Sequence, residues 1–174
     1  MSQRIVLTGG PGAGKTTVLD ILQTKGFAVG VDAARSIIQE RKAAGLSPRP
    51  EPLLFAEQIL DRETALFDSA SQSPMFFERG VPEAVASLYG AKGIDEPLME
   101  HMMARYRYDK VFLFPAWEAI YQTDAERDHT YDHAVRVCES IRKWYLRFDY
   151  EVIEVPLETP QARSEFILQH TNTA

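Results

Sequence analysis

One glycine-rich stretch near the start of the chain restricts the possible folds more than any other segment. It runs from Gly9 to Thr17 with the sequence GGPGAGKTT, and it contains the pattern G-x-x-x-x-G-K-[ST]. The apolar run Ile5–Leu7 precedes it, and a segment with helical character follows from Val18. The stretch is therefore predicted to be a loop that joins a β-strand to an α-helix.

The residue types of this loop suit contact between its backbone and a polyphosphate. Glycine leaves room for the phosphates and permits positive φ angles. The N–H groups of the loop and of the first helical turn lack intrahelical partners, so they can donate to phosphate oxygens. Lys15 adds a positive charge for the β- and γ-phosphates, and the hydroxyl of Thr16 is placed for Mg²⁺. The sequence thus predicts ATP and Mg²⁺ as cofactors, with these nucleotide-binding residues: Gly9, Gly10, Pro11, Gly12, Ala13, Gly14, Lys15, Thr16 and Thr17.

The size and charge of the chain narrow the function classes. Its 174 residues suit one domain, over residues 1–174, and a net charge of −6 argues against a nucleic-acid-binding face. No apolar run approaches the roughly 20 residues that span a bilayer, and we find no signal peptide. We therefore expect a cytoplasmic protein without a membrane partner, and its oligomeric state stays open.

The single cysteine, Cys138, is interpreted as a small buried apolar residue rather than a reactive thiol.

Strand and helix patterns alternate along the chain, which predicts a three-layer α/β/α P-loop NTPase fold around a five-stranded parallel sheet. A segment at about residues 115–131 follows the fourth strand and is predicted to be a lid over the triphosphate. The long helix predicted from Leu53 to about Ala70 has one apolar face formed by Phe55, Ile59, Leu66 and Ala70, with Leu60 and Phe67 beside it. The predicted strands are Ile5–Leu7, Phe27–Val31, Met75–Phe77, Val111–Phe114 and Tyr150–Val155.

Charged residues follow the second and third predicted strands, and ligands bind at the carboxyl ends of strands in such sheets. Glu78 is predicted to hold Mg²⁺ opposite Thr16, and Arg79 to bind a phosphate or the acceptor. Asp32 is a candidate general base for an acceptor hydroxyl, although a plain helix N-cap would use the same oxygens. Arg35 suits either acceptor binding or ion pairing on its helix.

The lid segment offers Arg127 as the arginine that closes over the triphosphate, with Arg136 as a weaker choice. Trp117 and Tyr121 suit packing beneath the lid better than stacking on a base. The pair His129 and His133 has metal-ligand spacing, but no further ligand motif accompanies it.

The layout resembles that of the P-loop nucleoside-kinase-like group, and more closely a family of small AAA-type ATPase or kinase domains similar to the kinase domain of nicotinamide riboside kinases. The resemblance implies that Asp32 acts as base or binds the substrate hydroxyl. It also implies that Glu78 and Arg79 form the acid–arginine pair that follows the third strand in deoxynucleoside kinases. The stretches that carry it are GGPGAGKTT (Gly9 to Thr17), VDAARSIIQER (Val31 to Arg41), FFERGVPE (Phe76 to Glu83) and FPAWEAIYQTDAERD (Phe114 to Asp128).

Two functions remain open at this stage. In the first, the chain is a kinase that transfers the γ-phosphate to a hydroxyl of a small nucleoside- or nucleotide-like acceptor, while Lys15, Arg79 and Arg127 offset the developing charge. In the second, it is an ATPase or nucleotide-operated switch that acts on a protein partner. A guanine-specific GTPase is less suitable because the motif N-K-x-D is absent, and the one asparagine is Asn172.

Overall fold

The structure is a computed structural model that describes residues 3–121 and 130–171. The strands in this part of the chain are β1 (Arg4–Gly9), β2 (Ala28–Gly30), β3 (Met75–Glu78), β4 (Lys110–Phe114) and β5 (Val152–Glu154). The α-helices are α1 (Lys15–Thr24), α2 (Ala33–Ala43), α3 (Pro52–Ser69), α4 (Val81–Gly90), α5 (Glu96–Arg105), α6 (Tyr131–Arg147) and α7 (Pro160–His170), and a 3₁₀ turn covers Glu118–Ile120.

The five strands form one parallel sheet in the order β2-β3-β1-β4-β5. Strand β1 lies at the centre, and its Leu7 is level with Glu78 of β3 and with Phe112 of β4. The chain runs from β1 to the strands on one side and returns to β4 on the other, so the loop after β1 begins where the strand order reverses. Both edge strands, β2 and β5, are shorter than predicted, and short edge strands are common in sheets.

Helices cover both faces of this sheet. Ile5 and Leu7 of β1 belong to a buried cluster with Leu22 of α1 and Ile167 of α7. Helix α6 contacts β1, β4 and β5, and it buries Cys138, as the sequence predicted. The three-layer α/β/α architecture is confirmed.

The contacts divide the chain into two compact units, each built from separate stretches of sequence. The first comprises Met1–Val29, Gln72–Glu78 and Tyr108–Ala174, and it contains the loop after β1. The second comprises Gly30–Ser71 and Arg79–Arg107, and in it α3 packs against α2 and α4 while α4 also packs against α5.

Helix α3 buries a different stripe from the one predicted. The most deeply buried residues are Ala56, Leu60, Glu63 and Phe67, which follow one another at helical spacing. The predicted face was wrong because it was chosen from apolar residues alone, whereas the buried stripe includes the charged residue Glu63. No helix within residues 3–121 and 130–171 combines the length and the apolar character needed to cross a membrane.

Candidate active site

The loop after β1 adopts backbone conformations that favour glycine. Gly9, Gly12 and Gly14 have φ angles of 137°, 72° and 84°. A Cβ atom at Gly9 would lie 2.3 Å from the carbonyl oxygen of Phe114, and one at Gly10 would lie 2.6 Å from that of Ala134. The loop therefore runs directly against neighbouring backbone, which explains its lack of side chains at these positions.

Gly9→Ala is expected to destabilise the protein by more than about 3 kcal/mol, because it adds a backbone clash to an unfavourable φ angle. Gly26→Ala is the matched control. Gly26 has a φ of 92°, and a Cβ atom added there would have no neighbouring atom within 4 Å, so its substitution should cost only about 1–2 kcal/mol. Urea unfolding of both variants measures the difference, and equal losses would contradict the close-approach argument.

Lys15 begins helix α1 and folds back over the loop. Its Nζ donates to the carbonyl oxygens of Gly9 at 3.2 Å and Gly10 at 2.8 Å, and the residue is buried. The N-cap residue, Gly14, has no side chain that could accept from the first N–H groups of the helix. A helix N-terminus beside a lysine is a suitable place for an anion such as a phosphate.

Thr16 and Glu78 meet as the sequence predicted. The Thr16 hydroxyl donates to Oε1 of Glu78 at 2.7 Å, and Glu78 is buried at the end of β3. A hydroxyl and a carboxylate are the hard oxygen donors that Mg²⁺ prefers, and Mg²⁺ usually completes its coordination with water and substrate phosphates. The pair fits such an ion, although the described residues contain no group of three or more His, Cys, Asp or Glu side chains that could hold a metal.

Asp32 uses one carboxylate oxygen as a helix cap and places the other near an arginine. Oδ1 accepts from the backbone N–H of Arg35 at 3.1 Å, which makes Asp32 the N-cap of α2. Oδ2 lies 3.4 Å from Nε of Arg79, and this ion pair is partly buried. The cap uses Oδ1 alone, so it does not prevent Oδ2 from accepting a proton. Helix capping and the role of general base therefore do not exclude each other.

Arg79 has an unusual backbone conformation. Its φ is 63°, in the left-handed region that non-glycine residues seldom adopt, at a typical cost of about 1–3 kcal/mol. Its buried Nε makes no hydrogen bond despite its proximity to Asp32. Such strain is most often found at functional sites, where the neighbouring structure holds a side chain in a required direction.

Glu63 is a buried acid, close to the start of α2, that sequence reasoning missed. It is 3% exposed on α3, and its Oε1 accepts from the N–H of Ala33 at 3.3 Å while Oε2 has no partner. Burial, followed by the negative charge of Glu83, raises the pKa of Glu63 to about 8, and the Ala33 N–H, Asp32 and Arg79 have smaller effects. Its spacing from Ala56, Leu60 and Phe67 was the signal that could have revealed it.

The lid prediction is only partly covered by the structure. Arg127 and His129 lie outside the described residues, and Arg136 is exposed on α6. Tyr121 packs on Tyr131 with ring centroids 5.7 Å apart, and its ring would lie 2.8 Å from a Cβ at Gly12. Tyr121 thus lies directly against the loop after β1.

Three further predicted residues have simple environments. Trp117 lies beside Arg163, whose Cζ is 5.7 Å from the centre of its ring, so packing accounts for it. The backbone N–H of His133 donates to the N-cap hydroxyl of Thr130. Arg35 is partly exposed on α2, one turn beyond Asp32.

Three comparisons place the chain among known proteins. The sequence model of an AAA domain matches residues 4–163, and no curated protein matches the chain significantly. Among solved structures, the deoxyadenosine kinase of M. mycoides with dCMP and a flexible dCDP bound is 14% identical, with a TM-score of 0.66 over 99% of this chain and 100% of that chain. The same kinase with dATP is 14% identical (TM-score 0.64, 98% and 100%), and with dCTP it is 13% identical (TM-score 0.63, 99% and 100%).

At these identities the solved kinases show the fold, and the sequence model shows the family. The predicted resemblance to a family of small AAA-type domains is confirmed, and the chain belongs to the AAA domain family.

Proposed function

We propose that the protein is a Mg²⁺-dependent kinase that transfers the γ-phosphate of ATP to a hydroxyl of a small, nucleoside- or nucleotide-like acceptor. The observation that carries this proposal is the ion pair between Asp32 and Arg79. Oδ1 of Asp32 caps helix α2, while Oδ2 lies beside Arg79 and takes no part in the cap. A carboxylate held in this way can accept the proton of an acceptor hydroxyl. Arg79 also follows Glu78 directly in the chain, so one peptide bond joins this pair to the proposed Mg²⁺ ligand.

The residues from Gly9 to Thr17 would hold the nucleotide. Their glycine-rich backbone and the start of α1 suit the phosphates, and Lys15 needs only to leave the carbonyl oxygens of Gly9 and Gly10 to reach the β- and γ-phosphates. Thr16 and Glu78 would hold Mg²⁺, which when bound neutralises phosphate charge.

In the transfer step, the acceptor oxygen attacks the γ-phosphorus as the bond from that phosphorus to the β-γ bridging oxygen breaks. ADP leaves with the bridging oxygen, and the acceptor proton passes to Oδ2 of Asp32. Lys15, Arg79 and Arg127 would offset the charge that develops on the phosphoryl oxygens. The protein contributes mainly by positioning and by electrostatics.

The similar solved structures support the ligand class, because those kinases are described with dCMP, dCDP, dATP and dCTP. They make a nucleoside the first acceptor to try. Use of ATP also suits the cytoplasmic location that we propose for this chain.

A panel of nucleosides, nucleotides and other hydroxyl compounds with ATP labelled at the γ-position tests the proposal. Labelled product should form with at least one acceptor, and both EDTA and Lys15→Ala should abolish it, since they remove Mg²⁺ and the loop charge. Steady release of labelled phosphate without transfer to any acceptor would contradict the kinase and favour an ATPase or switch.

A further inference from the structure

A buried arginine of helix α7 contacts the loop after β1. Arg163 of α7 is 1% exposed, and its Nη1 donates to the carbonyl oxygen of Ala13 at 3.0 Å. The two residues are 150 positions apart in the sequence and belong to the same compact unit. A Cβ at Gly14 would lie 2.8 Å from the same nitrogen, so the guanidinium lies directly against the loop.

This arginine has few other interactions that would explain its burial. Its Nε and Nη2 are buried without a hydrogen-bond partner. Its Cζ lies 4.4 Å from the ring centre of Phe114 and 5.7 Å from that of Trp117, which gives it aromatic contacts but no anion. Burial lowers the pKa of Arg163 to about 10, although the side chain stays protonated at neutral pH. Burying a charged guanidinium with two nitrogens that lack hydrogen-bond partners opposes folding.

The hydrogen bond to Ala13 determines the direction of the next N–H group. In a trans peptide the carbonyl and the following N–H point in opposite directions. Because the Ala13 carbonyl faces Arg163, the N–H of Gly14 faces away from it. Gly14 holds this peptide with a φ of 84°, which a glycine adopts at little cost.

We propose that Arg163 is a positioning residue that fixes the Ala13–Gly14 peptide for phosphate binding and that the chain keeps it at a cost to its own stability. The proposal rests on the nucleotide-binding loop of the proposed function. Its effect would fall on the α- and β-phosphates, which the N–H groups of such loops hold, and so equally on ATP and ADP.

Arg163→Met tests both parts, because methionine fills the space and packs well against aromatic rings but makes no hydrogen bond to Ala13. Kd for ATP and for ADP should rise by the same factor, about 10- to 100-fold, as expected for the loss of a charged hydrogen bond. KM for ATP should rise while kcat changes little, and the melting temperature should stay equal or increase. Arg163→Lys, which restores a charged donor without the planar fork, should have intermediate Kd values.

Arg142→Met is the matched control, because Arg142 lies in the same unit and pairs with Glu139 and Glu154 at the surface. Its Kd values should equal those of the wild type. Kd values of Arg163→Met within twofold of the wild type would overturn the inference and leave the kinase proposal intact, and so would a methionine variant that fails to fold. A wild type that binds neither ATP nor ADP would overturn both.

Discussion

Asp32→Asn is expected to lower kcat for phosphoryl transfer by about 10²- to 10⁴-fold while Kd for ATP stays unchanged. The asparagine oxygen can still accept from the N–H of Arg35, so the N-cap of α2 should survive with little change in stability. What the variant loses is the negative charge at Oδ2, which lies near Arg79 and is the proposed proton acceptor. Transfer kinetics at saturating ATP, together with a binding titration, separate the two effects.

Asp95→Asn serves as the control for this substitution. Asp95 is the N-cap of α5 and accepts from the N–H of Leu98 at 3.0 Å, so it has the structural role of Asp32 without the arginine pair of that residue. It should retain wild-type kcat. If Asp32→Asn also transferred phosphate at the wild-type rate, Asp32 would act only as a helix cap, and its proposed role as general base would be wrong.

The parts of the site that the sequence predicted are those in which local pattern determines geometry. The loop from Gly9 to Thr17 is bounded by its own strand and helix, and parallel strands bring Glu78 level with Leu7 and so close to Thr16. The capping role of Asp32 follows from its position before Ala33. In each case the order of the strands or the spacing along a helix determines which group the predicted residue contacts.

Glu63 and Arg163 escaped prediction because their partners are chosen by tertiary packing. Glu63 reaches Ala33 over 30 residues and Arg163 reaches Ala13 over 150, and neither spacing carries a local signal. Both are charged side chains that the helices α3 and α7 bury, whereas a pattern of hydrophobicity places charged residues at the surface. The left-handed φ of Arg79 was equally invisible, since arginine has no preference for that region.

Glu63 leads to the second large effect, a fall in stability as the pH rises. The folded carboxyl has a pKa of about 8, against an ordinary value of 4.5 that we take for the unfolded chain. Between these values the folded chain holds a proton that the unfolded chain has released, so the free energy of unfolding decreases with increasing pH. The total change from this group is about 3–5 kcal/mol, fully developed above pH 8.

Glu63→Gln should remove this dependence, because the amide stays neutral at every pH and can still accept from the N–H of Ala33. The variant and the wild type should have similar stability near pH 5, and at pH 9 the variant should be more stable by several kcal/mol. Glu57→Gln, an exposed position on the same helix, is the control and should follow the wild type at both pH values. Urea unfolding at pH 5, 7 and 9 measures all three proteins. Parallel curves for the wild type and Glu63→Gln would mean that the buried carboxyl is already ionised in the folded protein, with Arg79 compensating its charge more strongly than burial opposes it.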